Sequence, residues 1–205
     1  MRDTVYFLIF DGFADWQAAL ALCEIRRPGD WQLRTVGFSC EPVRSMGGLQ
    51  VLPDLALEQL DAARAALLIV PGGYLWQRGE GAAVVPAVSR LHAAGTPVAA
   101  IDSGVLVLAR AGLLDGCRHT GNWPGQLAAQ VPGYAGAEQY DANTLAVSDG
   151  GVITASHLGS VEFAREVIHL LDLYNRSDRE LWFRLFKYAQ MPPWCVGEAA
   201  AAIAA

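Results

Sequence analysis

Three short, continuously apolar runs, each stopped by a turn, constrain this chain more than any other feature. Thr4 to Phe10 ends at Asp11-Gly12, Ala65 to Val70 at Pro71-Gly72-Gly73, and Val98 to Ile101 at Asp102-Ser103-Gly104. Strands without polar alternation are buried on both faces, which is the situation inside parallel sheets covered by helices. The intervening stretches supply those helices. Trp16, Ala19, Leu20, Leu22, Cys23 and Ile25 repeat at helical spacing from Asp15 to the stop at Pro28-Gly29. Further helices are expected over about 82–94, 105–111, 160–174 and 179–189. Trp31 to Phe38 reads as another strand, and Leu145 to Val147 with Val152 to Ala155 as a hairpin around Ser148-Asp149-Gly150-Gly151. Met46-Gly47-Gly48 suggests a hairpin or bulge beside the main sheet, and Leu55 to Ala63 a short helix. This alternation predicts an α/β fold, a three-layer sandwich with a mostly parallel central sheet.

With 205 residues, 53% hydrophobic and 18% charged, the chain can bury roughly 70% of its unfolded surface in one domain. That domain is expected over 1–190, and the Ala-rich tail over 191–205 is expected to fray. Fifteen basic residues against 21 acidic ones give a net charge of −6 with no dense Lys/Arg run, which argues against nucleic acid as a partner. The apolar runs fall short of the about 20 residues that span a bilayer, and the start Met1-Arg2-Asp3-Thr4 leads straight into a strand, so neither membrane anchor nor signal peptide is expected. Cys23, Cys40, Cys117 and Cys195 form no Cys-x-x-Cys pair. No metal or other cofactor is therefore expected, and reduced thiols in the cytoplasm are the simplest reading.

Ligands of open parallel sheets bind beyond the carboxyl ends of the strands, so the loops after Phe10, Val70 and Ile101 are where chemistry is expected. Ala99-Ala100-Ile101-Asp102-Ser103-Gly104 has the form of a nucleophile elbow, a sharp strand-to-helix turn with Asp102 at its tip. The competing role for Asp102 or Ser103 is helix capping. Val70-Pro71-Gly72-Gly73 is either an oxyanion-hole loop or an ordinary turn. Asp15 is either a cleft carboxylate near the same sheet edge or a helix N-cap. Among the histidines, His157 follows a strand and is able to approach the cleft, with a satisfied structural role as its alternative. Ser103 as a nucleophile lacks a nearby base in the sequence.

Taken together these segments resemble the ThiJ/PfpI family, which has the class I glutamine amidotransferase-like, flavodoxin-like fold. The resemblance runs from about Thr4 to Leu173 and rests on the Asp15 region, Ile69-Val70-Pro71-Gly72-Gly73, Pro97-Val98-Ala99-Ala100-Ile101, 106–116 and 147–155. It implies a reactive cysteine at the elbow, where this chain has Asp102, so the family's thiol chemistry does not carry over. It places the family's helix-one carboxylate on Asp15 and the oxyanion-hole donors on Gly73, with its neighbour Gly72, and on the Ser103 backbone N–H. The His119-Thr120-Gly121-Asn122-Trp123 segment matches a family region that often holds His or Asn, which adds His119 and Asn122 to the possible cleft.

Two carboxylates a few ångströms apart share a proton, so an Asp15/Asp102 pair would be suited to acid/base work on a small polar or carbonyl compound, or to binding one. Asp102 also resembles a cysteine oxidised to sulfinate, which suits a non-catalytic stress sensor or scaffold. An engineered Cys→Asp change in a cysteine-dependent hydrolase is a further alternative. The resemblance also implies a homodimer, for which the aromatic segment Trp182, Phe183, Phe186 and Tyr188 offers apolar area.

Overall fold

The computed structural model describes residues 2–191. The expected tail, apart from Met191, lies outside them. In chain order the regular elements are β1 (Thr4–Leu8), α1 (Ala19–Arg26), β2 (Gln32–Gly37), β3 (Val43–Arg44), β4 (Gln50–Val51), β5 (Leu55–Ala56), β6 (Ala65–Val70), α2 (Tyr74–Gln77) and α3 (Val84–Ala93). There follow β7 (Val98–Ile101), α4 (Val105–Arg110), α5 (Gln126–Gln130), β8 (Ala146–Asp149), β9 (Val152–Ala155), α6 (Ser160–Leu170) and α7 (Arg176–Tyr188). Seven strands form one sheet in the order β5-β2-β1-β6-β7-β9-β8. Every neighbouring pair is parallel except β8 with β9. Helices α1, α6 and α7 pack together as one layer, and α2 to α5 as the other. The α/β sandwich expected from the apolar runs is the observed architecture.

The central strands are buried as their composition requires. Every residue of β1, β6 and β7 is buried, and each fully buried Leu, Ile or Val contributes roughly 1.5–3 kcal/mol. From β1 the chain moves to β2 on one side, and later to β6 on the other. The carboxyl ends of β1, β6 and β7 therefore flank the point where strand order reverses, which is where open sheets leave a crevice.

The hairpin around Met46-Gly47-Gly48 is present as β3 and β4. The helix expected over 55–63 is absent. Leu55 and Ala56 instead extend the sheet edge against Val36 and Gly37, and a single 3-10 turn over Leu57–Gln59 follows. Pairing with β2 satisfies backbone groups that a helix would have used, and the Gln59 side chain closes the turn by accepting the Ala56 N–H at 2.8 Å. Helix α1 starts at Ala19 rather than at Asp15, and Ala18, which makes no side-chain cap, stands at its N-cap position. The N-cap role considered for Asp15 is thus not the one it plays. Helix α7 starts three residues earlier than its apolar spacing suggests, because Asn175 caps it by accepting the Asp178 N–H at 3.0 Å. Two of its four aromatic residues are used within the chain. Trp182 belongs to the core, and Phe183 lies under the Arg165 guanidinium at 4.4 Å, which leaves Phe186, Tyr188 and the nearby Met191 exposed.

Candidate functional site

The strand-to-helix turn after β7 is sharp because Asp102 adopts φ +60°, a left-handed conformation that non-glycine residues rarely take. Asp is among the residues that tolerate it best. The turn is also tight. Gly104 lies so close to the backbone of Val70 and Pro71 that a Cβ there would meet the two carbonyl oxygens at 2.5 and 2.8 Å. The neighbouring loop after β6 is anchored from beneath, where the buried Trp76 indole N–H donates to Pro71 O at 2.8 Å and the ring packs edge-on to Phe10.

Asp102 is half-buried, and both of its oxygens accept hydrogen bonds from carboxamides. Gln17 Nε2 donates to Oδ2 at 2.8 Å, and Asn122 Nδ2 donates to Oδ1 at 2.6 Å. Gln17 is buried and its other end is fixed too, since Oε1 accepts the Gly72 N–H at 2.7 Å. Asn122 Oδ1 in turn accepts the His157 backbone N–H at 2.9 Å and lies 3.1 Å from His157 Nδ1. Because that oxygen only accepts, Nδ1 carries the ring hydrogen, and Nε2 has no partner among the described residues. A chain of contacts thus runs from Gly72 through Gln17, Asp102 and Asn122 to His157.

Asp15 does not join it. Its carboxylate accepts the Ser45 hydroxyl at 2.6 Å and faces Gly47 on the β3–β4 turn. Among the described residues no hydrogen bond connects Asp15 with Asp102. The expected carboxylate pair is therefore replaced by a carboxylate and a carboxamide, and the residue touching the elbow is Gln17, two positions further on. Sequence reading missed Gln17 because a glutamine in a helical apolar pattern carries no titration signal. Only the turn over 15–17 that delays α1 aims its side chain at the elbow.

Of the expected oxyanion-hole donors, the two glycine N–H groups are committed internally, whereas the Ser103 backbone N–H makes no hydrogen bond among the described residues. The Gly73 N–H donates to Ser103 Oγ at 2.9 Å, and that hydroxyl donates to Gly73 O at 3.1 Å. With the Gly72 N–H on Gln17, the two glycine donors and the buried Ser103 hydroxyl all have partners. The glycines still matter for closeness, since a Cβ at Gly72 would collide with Asp102 Oδ2 and Gln17 Oε1.

His119 is not in the cleft. It is fully buried, with Nδ1 2.8 Å from Cys117 O and Nε2 2.6 Å from Tyr134 Oη, and packs edge-on against Tyr134 and Tyr140. Its place in the segment with Asn122 misleads, because the chain turns between them and sends one side chain inward and the other to the elbow. Burial pushes the Tyr134 phenol up to about 12, so it stays protonated and donates to Nε2, while Nδ1–H donates to the carbonyl. Burial lowers the His119 pKa. The unfolded chain then binds more protons than the folded one as pH falls from about 6.5 toward that depressed value. The expected result is that melting temperature falls between pH 7 and pH 5, and that His119→Gln, compared with wild type at each pH, shows a shallower fall. Parallel curves for the two proteins would show that His119 contributes nothing to the slope.

The open space at the elbow is a cleft of about 190 Å³ lined by Trp16, Gln17, Met46, Tyr74, Asp102 and His157, among others. No Lys or Arg lines it, and Asp102 takes part in none of the ion pairs among the described residues. Among the described residues no group of three or more His, Cys, Asp or Glu is arranged to hold a metal ion. None of Cys23, Cys40 and Cys117 lines the cleft.

A mostly parallel sheet covered by helices on both faces, with a sharp strand-to-helix turn beside its switch point, defines an α/β protein of the flavodoxin-like class, here with a carboxylate at the tip of that turn. The DJ-1/PfpI family model matches residues 3–170, and the chain belongs to that family. It is 30% identical over 190 residues to the uncharacterized protease YoaZ of Bacillus subtilis, a match covering 89% of this chain and 90% of the relative. It is 29% identical over 171 residues to a deglycase of Thermococcus kodakarensis, covering 82% and 98%. Among solved structures, a DJ-1 superfamily protein from Agrobacterium tumefaciens superposes with a TM-score of 0.85 at 32% identity, covering 91% of this chain and 98% of the other. Among the described residues no helix is long and apolar enough to cross a membrane.

Proposed function

We propose that this chain is a DJ-1/PfpI family protein that uses its elbow cleft to bind a small polar compound, without the nucleophilic turnover named for its protease and deglycase relatives. The observation that carries this reading is the hydrogen bonding of Asp102. Both oxygens are held by amide donors, and among the described residues no second acid or histidine ring bonds to them. A carboxylate so held is a weak nucleophile, and the glycine N–H groups that would stabilise an oxyanion are engaged within the protein. The acid/base pair loses its support with Asp15 directed to Ser45.

The amide at Gln17 also supports Asp102 as an integral part of the site rather than a lone exchange of Cys for Asp. A carboxylate in that position would face Asp102 with like charge, whereas a carboxamide offers it an N–H. The test is turnover by purified protein on peptide and glycated-amine substrates, with Asp102→Asn and an iodoacetamide-treated sample alongside. No substrate conversion that depends on Asp102 or on a thiol is the expected result. Conversion abolished by Asp102→Asn would make the cleft an active site and end the binding-only reading.

A further inference from the structure

The cleft has a chemical bias that narrows its ligand. We infer that it binds a small organic cation bearing N–H groups, a protonated amine or an amidinium, an inference that rests on the binding reading above. Asp102 brings a carboxylate to the cleft whose bonds to Gln17 and Asn122 are to neutral amides, so its charge has no cationic partner there. Half-buried charge without a counter-ion favours a ligand that supplies one. Each carboxylate oxygen has a second lone pair after those bonds, so Asp102 is able to accept further N–H donors. His157 adds another acceptor, because Asn122 holds its Nδ1–H and leaves Nε2 unpartnered.

The rim fits the same ligand. Trp16, Tyr74 and Met46, 51%, 61% and 43% exposed, stand together at the mouth of the cleft as an apolar rim around Asp102. Aromatic faces beside an anion attract organic cations through the ring quadrupole, and the thioether of Met46 offers a polarizable contact to an apolar substituent. At about 190 Å³ the space is smaller than the roughly 300–1,000 Å³ typical of sites for drug-sized molecules, so the ligand is small. An anionic compound of similar size would meet Asp102 with like charge and find no Lys or Arg.

The experiment compares benzylammonium, neutral benzyl alcohol, phenylacetate and tetramethylammonium on the full chain. Calorimetry gives the affinity, and the Trp16 indole resonance, assigned with Trp16→Phe, reports occupancy of the cleft. Benzylammonium is expected to shift that resonance saturably, and to bind at least about tenfold more tightly than the other three probes, as a charge-assisted N–H bond should. Asp102→Asn should weaken it by about tenfold or more, and Trp16→Ala by about threefold, the size of an exposed cation–aromatic contact. If Asp102→Asn does not fold, the contrast between benzylammonium and benzyl alcohol on the wild-type protein decides the matter. Equal or tighter binding of phenylacetate or benzyl alcohol at Trp16 would overturn the cation inference while leaving the cleft a binding site. Tetramethylammonium equal to benzylammonium would overturn the N–H requirement and with it the inference as stated. If none of the four probes perturbs Trp16, the binding reading and the cation inference fall together.

Discussion

Gln17→Glu is expected to destabilise the protein by about 3 kcal/mol at neutral pH, because it removes the buried N–H that Asp102 accepts and puts a second carboxylate in its place. For a domain of this size that corresponds to a melting temperature lower by roughly 6–12 °C. The substitution is nearly isosteric, and Oε1 remains able to accept the Gly72 N–H, so the change isolates the contact with Asp102. The two carboxyl groups would then share one proton, which raises one apparent pKa of the pair above the unfolded values near 4. A raised folded pKa means that the penalty is complete at high pH and relieved as pH falls through that pKa, since the protonated group donates an O–H where Gln17 donated an N–H. Thermal melts at pH 8 and pH 5 therefore separate the possibilities. A deficit relative to wild type that is large at pH 8 and smaller at pH 5 is expected, and an equal deficit at both would disprove charge repulsion as its cause.

Gly104→Ala should cost at least about 3 kcal/mol, with a drop in melting temperature of roughly 6–12 °C or more. The reason is steric rather than conformational. Gly104 has φ −57°, a value any residue adopts, but its Cα faces the carbonyls of Val70 and Pro71, and neither the end of β6 nor the start of α4 is able to retreat without unpacking buried neighbours. The same shift would move the turn that carries Asp102. Gly116→Ala, where an added Cβ meets nothing within 4 Å, is the control for the loss of a glycine as such. If Gly104→Ala melts like Gly116→Ala, the close approach of the elbow to the β6 loop is not a constraint on the fold.

The doubly buried strands were readable in the sequence because their pattern is dictated locally: a strand covered on both faces has no polar positions to place. The elbow at Asp102 was readable for a similar reason, since a buried strand ending in Asp-Ser-Gly before a helical pattern leaves little choice of path. The short edge strand β5 was not readable, because pairing with Val36 and Gly37, which is non-local, overrode a helical spacing. The early start of α7 depended on one cap, Asn175, outside the apolar period that located the helix.

At the site, the sequence by itself determined that a carboxylate stands at the tip of the turn and that glycine-rich and aromatic segments end at the same edge of the sheet. What Asp102 touches was decided only in three dimensions. Its partners Gln17 and Asn122 stand 85 and 20 residues away along the chain, and neither carries a charge that would single it out. Asp15 and His119 lie in segments where the family resemblance points to a cleft, yet one turns to Ser45 and the other sinks between Cys117 and Tyr134. Local patterns fix which backbone is buried, because burial follows from the residues themselves. The direction of a single side chain at a loop follows from which distant donors and acceptors the packed elements bring within about 3 Å, and that information belongs to the fold.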